Sequence, residues 1–176
     1  RLVMSPSTRK LFSYVPQGNT MFSGTIADNL KYGKPDASEE EMLHTLSAAQ
    51  ADFVTELPEG LSSHTAQGGT NFSGGQKQRL AIARALMKKA DLYIFDDSFS
   101  ALDFKTDSAL RKALKGETKG AAVLIIAQRI NTILNADQIV VLNEGKIAGI
   151  GTHRELMERC SVYQEIAKSQ MRGGEE

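Results

Sequence analysis

At 176 residues, with 41% hydrophobic and 24% charged residues, the chain is long enough to bury a core and too apolar for a disordered one. Lys+Arg and Asp+Glu both number 21, so the formal net charge is zero and gives no global attraction to nucleic acid or anionic lipid. The single cysteine, Cys160, excludes an intrachain disulfide and a cysteine zinc cluster. The longest purely apolar run, Ala121–Ala127, is far shorter than the ~20 residues that span a bilayer. Residues 1–6 hold no apolar stretch of the kind a secretion signal needs. Together these features predict a folded, soluble domain of a reducing compartment.

Residues 1–10 are basic and irregular. Leu11–Val15 is a short apolar run stopped by Pro16, which predicts a strand entering a loop. Thr25–Tyr32 predicts a short helix. Ser38 followed by Glu41 is a capping box, and Met42, Leu43, Leu46 and Ala49 continue at helical spacing. Pro58-Glu59-Gly60 closes that stretch, and residues 18–70 read as a small helical unit. Gln67–Gly75 is rich in Gly, Thr, Asn and Ser and predicts a loop. Gln76–Ala90 lacks Gly and Pro and places Leu80, Ala83, Leu86, Met87 and Ala90 on one helical face. Leu92–Phe95 predicts a buried strand ending at Asp96-Asp97, followed by a helix over Lys105–Leu114. Ala121–Ala127 predicts a second buried strand, Asn131–Asn135 a short helix and Gln138–Leu142 a third strand. Asn143-Glu144-Gly145-Lys146 predicts a hairpin turn into Ile147–Ile150, and Thr152–Glu158 and Val162–Gln170 predict helices. Strands alternating with helices predict an α/β fold with a largely parallel sheet. Such sheets bind ligands beyond the carboxyl ends of their strands, where Asp96, Asp97 and Gln128 fall.

Four constellations bear on chemistry. Phe72-Ser73-Gly74-Gly75-Gln76 opens a helix, whose N-terminus offers free N–H groups and a partial positive charge to an anion. Ser73 can cap that helix or meet a phosphate oxygen, although a capped helix after a glycine turn is the plainer reading. Asp96-Asp97 stands where a parallel sheet holds nucleotide-bound Mg²⁺, and a second carboxylate there can orient or deprotonate water. By itself such a pair also suits a strand-to-turn boundary. Gln17, in Pro16-Gln17-Gly18-Asn19, and Gln128, in Ile125-Ile126-Ala127-Gln128-Arg129, are polar groups at strand ends that carry little weight alone.

In this order and at these separations the four resemble the nucleotide-binding domain of ABC transporters. Phe72–Gln76 is similar to the family signature, Leu92–Asp97 to the Walker B strand and Ser100–Asp103 to the D-loop. Gln17 resembles the Q-loop glutamine, and Gln128 stands where the switch histidine is expected. Met21–Asn29, Thr65–Gly69, the segment Gly151-Thr152-His153-Arg154-Glu155-Leu156, Tyr163 and Gln170 resemble the exporter branch, which places Thr65–Gly69 against coupling helices. The resemblance covers essentially the whole chain. It implies a partial P-loop NTPase-like (RecA-like) α/β core with an inserted helical subdomain. The divisions expected are 1–17 up to the Q-loop, 18–75 as the helical subdomain, 76–158 as the later core and 159–176 as a C-terminal helix and tail. It implies ATP and Mg²⁺ as ligands. Ser73, Gly74, Gly75, Gln76, Gln17 and Asp103 would contact nucleotide, Asp96 and Gln17 would hold the metal, and Asp97 and Gln128 would take the catalytic positions. The partners implied are a second nucleotide-binding domain and exporter transmembrane domains, at the cytoplasmic face of a membrane, with no nucleic acid.

Three features depart from the family pattern. No G-x-x-x-x-G-K-[ST] phosphate loop occurs, so the chain reads as a fragment that begins after it, binding ATP weakly and inactive alone. The family's catalytic glutamate is Asp97, one methylene shorter, where a ~1 Å misplacement can cost ~10²-fold. Its switch histidine is Gln128, an amide that donates a hydrogen bond but carries no charge near neutral pH. Both changes resemble the degenerate half of a heterodimeric exporter, whose intact signature completes the partner's site. Two alternatives are a regulatory module that binds nucleotide without turnover and an ABC-type ATPase of DNA repair. The second needs a long coiled coil between Gln17 and Ser73, which residues 18–72 cannot supply. His44, His64 and His153 are isolated and expected to have structural or surface roles, Cys160 to be inert, and Arg79 and Arg84 to form salt bridges. Glu39-Glu40-Glu41 suits a helix start, and Glu175-Glu176 a frayed end.

Overall fold

The computed structural model describes residues 5–172. The chain divides into two compact units, Arg1–Ile126 and Ala127–Glu176, each with its own apolar core. The first contains α1 (Pro6–Arg9), β1 (Phe12–Val15), β2 (Gly24–Thr25), α2 (Ile26–Lys31), α3 (Glu39–Ala48), β3 (His64–Thr65), α4 (Gly74–Met87), β4 (Leu92–Asp96), α5 (Phe104–Glu117) and β5 (Ala122–Ile126). The second contains α6 (Ile130–Ile133), β6 (Ile139–Asn143), β7 (Lys146–Gly151), α7 (His153–Arg159) and α8 (Ser161–Arg172). The expectations for Arg1 and for Glu175-Glu176 lie outside the described residues.

Local chemistry explains where the helices start. Thr25 and Asp28 form a reciprocal capping box on α2, Ser38 and Glu41 on α3, Ser73 and Gln76 on α4, and Thr152 and Glu155 on α7. The same device, Ser5 with Thr8, turns Pro6–Arg9 into helix, although these residues read as irregular in the sequence. Helix α4 ends at Met87, earlier than its apolar periodicity predicts, because Lys89 adopts a left-handed backbone with φ 32°.

The first unit is built around α4. Leu80 and Ile82 are fully buried, and Ala81, Ala83, Ala85, Leu86 and Met87 are buried around them. Full burial of one such aliphatic side chain stabilises by ~1.5–3 kcal/mol, far more than helix propensity differences contribute. Packing therefore holds α4 in place. It lies against α2, α3 and β1. Gly33, after α2, permits that approach: a Cβ there would stand 2.4 Å from the Arg84 carbonyl oxygen.

The sheet of this unit is parallel, in the order β1-β4-β5. Its two faces differ. Ser13, Val15, Tyr93 and Phe95 point into the core, while Tyr14, Leu124 and Ile126 lie on the other face and are exposed. This corrects the expectation of a second buried strand over Ala121–Ala127. Val123, Leu124 and Ile126 in β5 are 41%, 50% and 45% exposed. The physical reason is position: β5 is an edge strand among the described residues, and the apolar run shows only that it suits burial. The short β2–β3 antiparallel pair, Gly24 opposite Thr65, was not legible in the sequence.

In the second unit β6 and β7 form an antiparallel hairpin, as the turn Asn143–Lys146 predicts. Glu144 and Gly145 both have positive φ, 48° and 74°, the combination that a tight two-residue hairpin requires. Tyr163, Leu156, Cys160 and Ala167 pack with Ile139 and Val141 to form the core of this unit.

Candidate functional site

The carboxyl end of β4 gathers several of the residues singled out in the sequence. The β1–β4 register places Tyr14 opposite Ile94, so Tyr14 and Asp96 share one sheet face. The Tyr14 hydroxyl donates to Oδ2 of Asp96 at 2.9 Å. This bond to a carboxylate raises the pKa of the Tyr14 phenol above its ordinary value. Just beyond β1, Gln17 Nε2 approaches Oδ2 of Asp97 at 3.4 Å. Asp97 itself has φ 46°, a left-handed conformation that Asp tolerates better than most residues. Its backbone N–H donates to the Ile126 carbonyl at 2.9 Å, which ties the ends of β4 and β5 together. Ser98 is fully buried and donates to the Val15 carbonyl at 3.2 Å, fixing the loop onto β1.

The start of α4 is the second part of the site. Ser73 Oγ accepts from the Gln76 N–H at 3.2 Å, and Gln76 Oε1 accepts from the Ser73 N–H at 2.9 Å. Ser73 and Gly74 are exposed, and the first turn carries no acidic residue. The N–H groups of Gly74 and Gly75 belong to that turn, which has no intrahelical acceptors. The glycines also have a local reason: a Cβ on Gly75 would stand 3.2 Å from the Ala101 carbonyl oxygen.

Gln78, buried at 3% exposure, joins the two parts. Its Nε2 donates to Ser100 Oγ at 3.3 Å, and its Oε1 accepts from the Ala101 N–H at 3.1 Å. Sequence reasoning missed it, although positions 78, 81, 82 and 85 share the buried side of α4 and a lone polar residue there was a signal. Tyr14 was also missed, because only the cross-strand register reveals its neighbour.

Asp103 caps α5, accepting from the Thr106 N–H at 2.9 Å and from the Thr106 hydroxyl at 2.7 Å. These bonds hold its carboxyl below the ordinary carboxylate range, the backbone N–H contributing most. Gln128 lies in the other unit, where it is exposed and its carbonyl accepts from Gln170 Nε2 at 2.7 Å. Among the described residues, Arg79 and Arg84 do not form the expected salt bridges. Arg79 donates to the Gln50 carbonyl at 2.8 Å and stacks over Phe53. Arg84 donates to the Thr20 carbonyl at 2.9 Å and stacks over Phe22, and burial lowers its pKa. Phe22 and Tyr32, 45% and 66% exposed, stand 4.4 Å apart beside it. They line a shallow cleft of about 260 Å³ with Phe12, Tyr14 and Lys88.

The hard oxygen donors of Asp96, Asp97 and Gln17 are of the type that Mg²⁺ takes, commonly one or two carboxylates completed by phosphate and water. The residues present fit that ion.

A Ser-Gly-Gly helix start and paired carboxylates at the end of a parallel strand are features of nucleotide-binding α/β domains. A family model described as "ABC transporter" matches residues 3–100, and the chain belongs to the ABC transporter family. It is 47% identical over 169 residues to an uncharacterised ABC transporter ATP-binding protein of Mycobacterium tuberculosis. That alignment covers 93% of this chain and 29% of the relative. It is 41% identical over 168 residues to an ATP-dependent lipid A-core flippase of Legionella pneumophila, covering 95% of this chain and 29% of that protein. Among solved structures, a bacterial Atm1-family ABC exporter with ATP bound matches with a TM-score of 0.90 and 36% identity. The match covers 94% of this chain and 29% of that one. The chain therefore spans less than a third of the length of these relatives.

Proposed function

We propose that this chain is part of the ATP-binding domain of an ABC exporter at the cytoplasmic face of a membrane, working beside a second, different nucleotide-binding domain. The observation that carries the reading is the start of α4. It presents Ser73 and the amides of Gly74 and Gly75 outward, and its first turn holds no carboxylate that would compete with a phosphate. In this reading residues 18–75 form the helical subdomain and Ser73–Gln76 complete the nucleotide site of the partner domain.

The chain's own site is assigned to the end of β4. Asp96 and Gln17 would hold Mg²⁺, which neutralises phosphate charge when bound. Asp97 accepts a proton from water at a carboxylate oxygen. Gln128, in the second unit, has a side-chain amide that can donate a hydrogen bond but carries no charge. Asp97 is one methylene shorter than the glutamate the family uses, so this site turns over slowly. Asp103 lies in the loop that would face the partner. The exposed aromatic pair Phe22–Tyr32 supports docking of a transmembrane-domain segment in the cleft beside Arg84. The exporter and flippase relatives favour transport as the process served.

The test is ATP turnover of the assembled full-length dimer with Ser73→Ala and, separately, Asp97→Ala. Ser73→Ala lowers turnover by ~10²-fold or more, as loss of a phosphate-side donor does, while Asp97→Ala changes it little. Ser73→Ala also removes a helix cap, a loss of ~1 kcal/mol in stability, so thermal unfolding is recorded beside it. Equal losses from both substitutions refute the asymmetric assignment.

A further inference from the structure

We propose that Tyr14 is a positioning residue for Asp96: its hydroxyl holds Oδ2 of that carboxylate, so that Oδ1 is the oxygen presented to the divalent cation. This rests on the reading above that Asp96 holds Mg²⁺. The argument begins with the sheet. Parallel pairing of β1 with β4 fixes Tyr14 opposite Ile94, and Asp96 is two residues further along the same face. The phenol spans that offset, and its hydroxyl reaches Oδ2 at 2.9 Å. An ionised carboxylate has two accepting oxygens, and engaging one by a fixed donor limits rotation of the group and leaves the other free.

The contact contributes little to the fold. Tyr14 is 54% exposed, β1 and β4 are already joined by their ladder, and an exposed hydrogen bond has a small net effect on stability. The neighbouring carboxylate has a longer contact of the same kind, Gln17 Nε2 lying 3.4 Å from Oδ2 of Asp97. Tyr14 and Gln17 lie three positions apart, on the strand and on the turn that leaves it. One short segment therefore meets both carboxylates, each at its Oδ2. Residues that hydrogen-bond a metal-holding carboxylate set its orientation, and losing one typically costs ~10–100-fold in metal affinity.

The experiment uses the full-length protein and Mn²⁺ as the probe, titrated in the presence of ATP and followed by the electron paramagnetic resonance of the free ion. Tyr14→Phe removes only the hydroxyl from an exposed ring. It raises the half-saturating Mn²⁺ concentration by ~10-fold, while ATP affinity without divalent cation and the unfolding temperature stay as in the wild type. Asp96→Asn weakens Mn²⁺ binding at least as much, and the double variant is no worse than Asp96→Asn, because Tyr14 acts through Asp96. A Tyr14→Phe titration matching the wild type while Asp96→Asn weakens binding overturns the role of Tyr14 and leaves the metal assignment standing. Additive effects in the double variant overturn it as well. Unchanged Mn²⁺ binding in Asp96→Asn overturns the metal assignment and this inference together.

Discussion

Gln78 occupies a side of α4 that is otherwise apolar, and there it behaves as a two-ended staple. Its amide gives to Ser100 and receives from Ala101, within the loop that leaves Asp97. Replacing it by Leu keeps the volume but strips the Ala101 N–H of its acceptor. An unpaired polar group of this kind costs ~1–3 kcal/mol, so Gln78→Leu lowers the urea midpoint of the domain, measured with an unchanged slope. A steady midpoint contradicts the staple. At this scale the sequence was informative about identity and poor about contact. Ser73, Asp96, Asp97 and Gln17 stood out because their types and spacing match a chemistry. Tyr14 did not, because nothing local tells a strand which residue its neighbour presents. Arg84 was misjudged for a related reason: its partners, the Thr20 carbonyl and the Phe22 ring, are far away in sequence.

Elements were more legible than contacts, because their boundaries are written in capping chemistry. The boxes on α2, α3 and α7 each place a carboxylate at N3, and each binds back to the residue that starts the helix. Asp28 and Glu155 are held below the ordinary carboxylate range, chiefly by the backbone N–H groups of Thr25 and Thr152. A carboxyl whose folded pKa is depressed contributes stability above its unfolded pKa and loses it as pH falls through the folded value. The share of stability that these two carboxyls contribute is therefore constant from neutral pH to about pH 4.5 and declines below it, as thermal unfolding recorded downward from neutral pH would read. Thr25→Ala and Thr152→Ala flatten that acid limb, and an unaltered limb would assign the acid sensitivity elsewhere. By contrast α4 carries Gln76 at N3, so its box adds no charge of its own. The end of α4 escaped sequence reading because a left-handed Lys89, not a glycine or proline, stops it.

For the whole molecule, the alternation of strands and helices predicts a parallel sheet, and β1, β4 and β5 form one. What composition could not say is which face of a strand is covered. The run from Ala121 to Ala127 is apolar throughout, yet Leu124 is 50% exposed on an edge strand. An open apolar edge invites pairing with another chain. These 176 residues expressed alone are expected to self-associate, and Leu124→Lys to shift them toward monomer in size-exclusion chromatography with light scattering. Association that ignores this substitution would place the sticky surface elsewhere.

The close fit of Gly75, on which a Cβ would stand 3.2 Å from the Ala101 carbonyl oxygen, and the hydrogen bonds of Gln78 make the head of α4 and the loop after Asp97 a single casting. One end of that casting carries the chain's own acid pair, and the other carries Ser73, which is assigned to the partner's nucleotide. In the proposed reading, occupancy at the Ser73 end is therefore felt at the acid pair even while the acid pair turns nothing over.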